Sequence, residues 1–220
     1  MTIVKSPSLA SALEDIAIPG VLIDYRTITD GDEFGLFPEE HSQFARSVAR
    51  VRRASGAARI VARGLMQRIG VAPQPVLKTT AGMPQWPDGT VGSLAHDSTV
   101  AVAALARRDD YLSLGVDIEP AEGLDPDLLT LIATERERGE IENSPLQGRL
   151  LFVVKEAIYK AVYPLDRTFL EHHDVEVNWA ARTGAVRQGR TIPFRFSCSS
   201  HFAVLAFVES ASPKIISNAP

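Results

Sequence analysis

Leu112-Ser113-Leu114-Gly115-Val116-Asp117-Ile118-Glu119 is an apolar run that closes on two carboxylates two positions apart. Read as a buried strand, it sends Asp117 and Glu119 to one face, because successive strand side chains alternate. Two carboxylates sharing a buried face repel each other unless a cation offsets them. The plainer alternative is a strand end that turns into solvent at Pro120. Upstream, Thr99 to Ala106 is a second apolar run. The charged turn Arg107-Arg108-Asp109-Asp110 separates the two, which are expected to pair as a hairpin.

Downstream, Lys155-Glu156-Ala157-Ile158-Tyr159-Lys160 lies in a strongly apolar segment. The pattern predicts a helix from Pro145 to Tyr163, with Pro164 just beyond its end. Glu156 and Lys160 are four apart and share a helix face. If this face meets the strand, three carboxylates and an ammonium stand together. Such a set suits a hard divalent cation that binds a few carboxylates and leaves its other positions to phosphate and water. Phosphoryl-type chemistry follows, against the alternative of an ordinary surface ion pair on a helix.

Between Pro38 and Gly70, Phe44, Val48, Val51, Ala58, Ala62, Leu65 and Ile69 recur at helical spacing, which predicts one long helix. Arg52, Arg59 and Arg63 line one stripe of it, with Gly56 leaving room for an approaching group. Guanidinium groups so placed can grip a phosphate monoester; a solvated basic face is the alternative, since Arg46, Arg50 and Arg53 share the helix. The proline-rich stretch from Val71 to Gly89 reads as an ordered loop carrying Lys78. Gly92-Ser93-Leu94-Ala95-His96 follows, where backbone can approach a ligand and a histidine can donate to a phosphate oxygen, or simply cap a turn. Asp125 to Glu142 is expected to be helical in part. Val175 to Trp179, Ala185 to Arg187, Thr191 to Cys198 and Phe202 to Val208 read as an antiparallel meander. His96 before one apolar run and Ser200-His201 before another form an echo half a chain apart, a possible internal duplication.

The 220 residues, 45% hydrophobic and 23% charged, fit a globular protein of one domain or two small ones. A net charge of −4 offers no general attraction for nucleic acid or an anionic membrane, so any anion site must be local. With one cysteine, Cys198, neither an intrachain disulfide nor a zinc site built on several thiolates is available. No stretch is long and apolar enough to span a bilayer, and a cytoplasmic location is expected.

Four motifs, in order, carry a likeness: Trp86-Pro87-Asp88-Gly89, Gly92-Ser93-Leu94-Ala95-His96, Gly115-Val116-Asp117-Ile118-Glu119 and Phe152-Val153-Val154-Lys155-Glu156-Ala157-Ile158-Tyr159-Lys160-Ala161. Together they resemble the 4′-phosphopantetheinyl transferases of the surfactin-type class, nearest the bacterial enterobactin-synthetase-associated (EntD-like) type, from about Phe37 to Phe207. The resemblance implies an α/β fold of α+β character: a pseudo-twofold pair of related halves, 1–110 and 111–220, each with a small antiparallel sheet and a long helix. It implies coenzyme A as substrate in the cleft between the halves, with Mg2+ or Mn2+ at the pyrophosphate. Carried over, Asp117, Glu119 and Glu156 are the metal ligands, and Glu156 and Lys160 the catalytic pair. Arg59, Arg63, Lys78 and His96, with Arg52 or Arg53, hold CoA phosphates and the adenosine end. Gly82, Met83 and Pro84 pack against adenine, and Ser93 lies near the phosphates. Val153-Val154 replaces the Ser-Ala of many relatives, and Ala95 a Ser or Thr.

The implied reaction moves the 4′-phosphopantetheine arm of CoA to a serine of an apo acyl or peptidyl carrier protein, releasing adenosine 3′,5′-bisphosphate. Leu128, Leu129, Leu131 and Ile132, rimmed by Arg136, Arg138 and Arg149, are the expected docking patch, unless those side chains are core. No nucleic acid or membrane partner is expected, and the duplicated chain is expected to act as a monomer. Two other readings stay open: a CoA- or carrier-binding regulator without catalysis, and an unrelated magnesium-dependent phosphohydrolase.

Overall fold

In a computed structural model, residues 3, 5–141, 144–187 and 189–211 are described. Glu142, the end of the expected polar helix, lies outside them. Helix α1 (Leu9–Ile16) leads into strand β1 (Val21–Thr27), a 3-10 turn (Asp32–Gly35), and helices α2 (Pro38–Phe44) and α3 (Ala49–Arg68). Strands β2 (Thr90–His96), β3 (Val100–Arg107) and β4 (Tyr111–Pro120) follow, then helices α4 (Pro126–Ile132), α5 (Glu135–Glu140) and α6 (Pro145–Asp166). A second 3-10 turn (His172–Asp174) precedes β5 (Val175–Asn178), β6 (Thr183–Val186), β7 (Thr191–Cys198) and β8 (His201–Glu209). Two antiparallel sheets result, β1-β3-β2 and β4-β8-β7-β6-β5. Each carries one long helix: α3 packs on β3, and α6 packs on β4 and β8.

The apolar alternation explains where the cores lie. On β4, Leu114, Val116 and Ile118 join β3 and α1 in one buried cluster, while Ala157, Ile158, Ala161 and Val162 of α6 enter another with Phe202, Val204 and Ala206. Gly115, Asp117 and Glu119 therefore belong to the face turned toward α6. Among the described residues, no helix is long and apolar enough to cross a membrane.

Three local expectations are corrected. The apolar runs at Thr99 to Ala106 and Leu112 to Ile118 are strands but not a hairpin: β3 pairs with β1 and β2, and β4 with β8. Partners from distant parts of the chain, β1 for β3 and β8 for β4, outcompete the neighbour in sequence. The single helix expected from Pro38 to Gly70 is two, because Val48 is extended (φ −66°, ψ 156°) and α2 turns back to bury Glu40 and Phe44 against α3. Helix α6 runs through Pro164 for one further half-turn, ending where Arg167 takes a left-handed conformation (φ 59°) and donates its N–H to the Tyr163 carbonyl. Proline tolerates this because its fixed φ is helical, and at a helix end few hydrogen bonds are lost.

Candidate active site

The site begins with a glycine. A Cβ on Gly115 would lie 1.9 Å from the Ala157 carbonyl oxygen, so β4 and α6 approach as closely as backbone allows. That approach lets Lys160 reach across rather than along its helix: its Nζ donates to Asp117 Oδ1 at 2.6 Å and to the Val116 carbonyl at 3.2 Å. Asp117 is buried, and burial pushes its carboxyl up from the ordinary value, with Lys160 opposing and the Glu156 charge adding to the push. Its Oδ2 is buried without a hydrogen-bond partner.

Glu119 and Glu156 flank this pair. Burial, then the neighbouring Asp117, raises the Glu119 carboxyl, while Arg149 Nη1 holds it at 3.3 Å. Glu156 is held below its ordinary value, first by a hydrogen bond with His172 (Nε2 to Oε1, 3.1 Å), against burial and with help from Lys160. Each acidic side chain thus has its own cation or imidazole. Accordingly, no group of three or more His, Cys, Asp or Glu side chains among the described residues is spaced to hold a metal ion. The donor chemistry nevertheless fits a hard divalent ion: Asp117 Oδ2 is an orphaned buried oxygen, and two further carboxylates act on it or respond to it electrostatically.

Two cavities flank this cluster. One, of about 580 Å3, is walled by Gly82, Met83, Pro84, Trp86 and Ser93 on one side and by Tyr159, Lys160 and Tyr163 on the other. The second, of about 360 Å3, is bounded by Glu156, Tyr159 and His172 and by the apolar Leu131, Phe169 and Leu170. Tyr159 borders both. Ser93 is buried at the seam between the sheets, where its Oγ accepts the Val116 N–H at 3.0 Å. Gly92 is pinned between Trp86 and the Ala104 carbonyl, where a Cβ would come within 2.7 and 2.5 Å. His96 ends β2; desolvation, with the charges of Lys160 and Lys78 acting the same way, keeps its imidazole below the ordinary value.

Two arginines of the stripe, Arg59 and Arg63, are buried beside Glu40. Arg63 Nη1 meets both oxygens of the fully buried Glu40 at 3.0 Å, and Nη2 donates to the Gly35 carbonyl. Arg59 is buried; its Nε donates to the Val76 carbonyl at 2.8 Å, and desolvation lowers its pKa to about 10. One of its nitrogens, Nη2, is buried without a partner. Lys78 stands 4.6 Å above the Phe44 ring, whose centroid is also 4.7 Å from the Arg59 guanidinium carbon. Arg52 donates to the Ser47 carbonyl, and Arg53 pairs with Asp30 and Glu33. Two of the four docking-patch residues, Leu129 and Ile132, are core, whereas Leu128 and Leu131 are exposed.

Sequence reasoning does not reach Glu40, His172 or the bridge from His201 Nε2 to Asp97 Oδ2 at 2.8 Å, which ties the turn after His96 to the start of β8, and it puts Arg149 on the docking rim rather than beside Glu119. Glu40 could not be read from its surroundings, since Glu39-Glu40-His41 resembles a solvated helix start. Glu171-His172-His173-Asp174 was the visible signal, a titratable cluster directly after the apolar helix.

Comparison with known proteins bears on this arrangement. A family model described as the 4′-phosphopantetheinyl transferase N-terminal domain matches residues 39–106, and one described as the 4′-phosphopantetheinyl transferase superfamily matches residues 113–211. The chain is 36% identical over 182 residues to 4′-phosphopantetheinyl transferase PptT of Mycobacterium tuberculosis, covering 81% of this chain and 78% of the relative. It is 36% identical over 148 residues to 4′-phosphopantetheinyl transferase Svp of Streptomyces mobaraensis, covering 64% and 60%. Enterobactin synthase component D of Salmonella typhimurium is 34% identical over 133 residues, covering 55% and 53%. With a matched relative covered over more than three quarters of its length, the chain belongs to the 4′-phosphopantetheinyl transferase superfamily.

Proposed function

We propose that this chain transfers the 4′-phosphopantetheine arm of coenzyme A to a serine of an apo acyl or peptidyl carrier protein, releasing adenosine 3′,5′-bisphosphate. The observation that carries the reading is a pair of cavities that share Tyr159, one bordered by Lys160 and the other by Glu156, with Asp117 held by Lys160 behind them. A CoA molecule needs a bed on each side of its pyrophosphate. The larger cavity, with Gly82, Met83, Pro84 and Trp86, suits the nucleoside end; the smaller, where Leu131, Phe169 and Leu170 stand beside Glu156 and His172, suits the arm. The orphaned Arg59 Nη2, with Lys78 and His96, suits an anionic phosphate. In this reading residues 1–110 supply the nucleotide contacts and 111–220 the reactive centre.

Asp117, Glu119 and Glu156 would hold a divalent ion, Mg2+ or Mn2+, which when bound neutralises pyrophosphate charge. The chain's own groups then divide the work. Glu156, held as a carboxylate by His172, accepts the serine proton as Oγ bonds to phosphorus. As the bond from phosphorus to the leaving oxygen breaks, the Lys160 ammonium offsets charge on the departing adenosine 3′,5′-bisphosphate. Positioning dominates such a transfer, and the Gly115 contact sets that position.

Leu131 on α4 and Phe169, which is 72% exposed, edge the smaller cavity and, with the exposed Leu128 one helical turn before Leu131, form the apolar ground on which the carrier would dock. A monomer in the cytoplasm, within the surfactin-type class, is the accompanying reading. The likeness to enterobactin synthase component D, 34% over 55% of this chain, is weaker than those to PptT and Svp, 36% over 81% and 64%, so the comparisons favour PptT and Svp over the enterobactin-synthetase-associated branch. The test is to incubate the chain with CoA, Mg2+ and several apo carrier proteins and weigh the carriers. A gain of one phosphopantetheine is expected; measurable CoA binding with no gain on any carrier favours a non-catalytic regulator instead.

A further inference from the structure

Lys155, next to Glu156, points the other way. Its Nζ is buried and makes three hydrogen bonds, to Glu137 Oε2 at 2.7 Å, the His172 carbonyl at 2.8 Å and the Ile132 carbonyl at 2.9 Å. An ammonium has three N–H donors, so this one is saturated, as a buried charge must be. Glu137 is fully buried too, and also accepts the Val177 and Thr134 N–H groups at 2.8 Å. The turn carrying His172 is therefore fixed by its backbone to the helix residue that precedes Glu156.

The His172 ring is fixed as well. It lies against Phe152, with centroids 5.6 Å apart and planes at 33°, and brings Nε2 to 3.1 Å from Glu156 Oε1. A carboxylate can only accept, so Nε2 carries the proton of this hydrogen bond. Lys155 holds the turn, the turn holds His172, and His172 holds the carboxylate of the residue after Lys155.

We propose that His172 is a positioning residue for the transfer: by donating Nε2–H to Glu156 Oε1 it fixes the carboxylate plane and leaves Oε2 to receive the proton of the acceptor serine. This rests on the transferase reading above. Committing one oxygen to His172 leaves the other for the divalent ion and the serine proton and converts a rotating side chain into an aligned base, and alignment is the kind of term that shows in turnover more than in binding.

The test compares His172→Leu with His172→Gln in the full chain. His172 is one third exposed, so both variants are expected to fold. In His172→Leu, kcat for carrier modification falls by about tenfold or more while KM for CoA stays within about twofold. In His172→Gln, whose amide N–H can reach the place of Nε2–H, kcat returns to within about threefold of wild type. A merely structural role would lower thermal stability in both and separate neither. Independently of activity, long-range proton–nitrogen NMR of His172 should show the proton on Nε2. A bare Nε2, turnover of His172→Leu within about twofold of wild type, or equal impairment of the Leu and Gln variants each overturns the proposal. A wild-type chain that modifies no carrier would remove the transferase reading itself, and this role with it.

Discussion

Gly115→Ala is the substitution that tests the geometry most sharply. The added Cβ would stand 1.9 Å from the Ala157 carbonyl oxygen, 2.7 Å from the Ala161 nitrogen and 3.0 Å from the Ala157 carbonyl carbon, all backbone. None of these can swing aside as a side chain would. Ordinary contact begins near 3.4 Å, so β4 and α6 must part by roughly 1.5 Å. Lys160 reaches Asp117 at 2.6 Å from the opposite wall, and that added gap takes the pair to the limit of an ion pair. A misplacement of about 1 Å costs on the order of 100-fold in a reaction governed by positioning. Overpacking itself costs about 1–3 kcal/mol, and for a chain of this size each kcal/mol lowers Tm by about 2–4 °C. The assay is steady-state carrier modification alongside thermal unfolding. Gly64→Ala is the control, because nothing lies within 4 Å of its added Cβ, and relief of a helical glycine should stabilise by up to about 1 kcal/mol. Gly115→Ala with turnover within threefold of wild type would refute the view that this contact sets the site.

Three further outcomes are expected. Glu40→Leu leaves Arg63 and Arg59 without their buried carboxylate and should destabilise by about 3–5 kcal/mol in urea unfolding; a loss below 1 kcal/mol would show that Glu40 is dispensable. Asp117→Asn should abolish transfer yet leave Tm unchanged or higher, because burial already disfavours the carboxylate; a marked fall in Tm would contradict that. His96 has an imidazole held below its ordinary value, so it is neutral at pH 7 and a bound phosphate must draw a proton onto it. Folding stability on this account is present above the ordinary imidazole value and declines as pH falls through it, whereas CoA affinity strengthens as pH falls, by at most about tenfold per unit. His96→Gln should flatten that dependence in calorimetric titration.

What the sequence made legible was chemistry carried by short, strong patterns. The alternation at Asp117 and Glu119 and the four-residue spacing of Glu156 and Lys160 are local, and each was sufficient to define a face. Pairing was not local. Nothing between Arg107 and Asp110 says that β3 and β4 part company, because the partners they take, β1 for β3 and β8 for β4, come from distant parts of the chain. The arginine stripe was read correctly as a stripe but not as a buried one, since the covering carboxylate belongs to α2, whose turn away from α3 has no glycine or proline to announce it. His172 was out of reach for the same reason: its meaning depends on Lys155 facing inward, which the run Lys155-Glu156 does not disclose.

On the proposed function, Glu156 and Lys160 are the reactive end of a CoA cleft whose binding walls lie elsewhere. A single-turnover experiment with Glu156→Gln, preloaded with CoA and Mg2+ and mixed with an apo carrier protein, separates binding from chemistry. CoA affinity should stay within about threefold of wild type while transfer falls by at least about 100-fold. Transfer at a near wild-type rate would contradict that role.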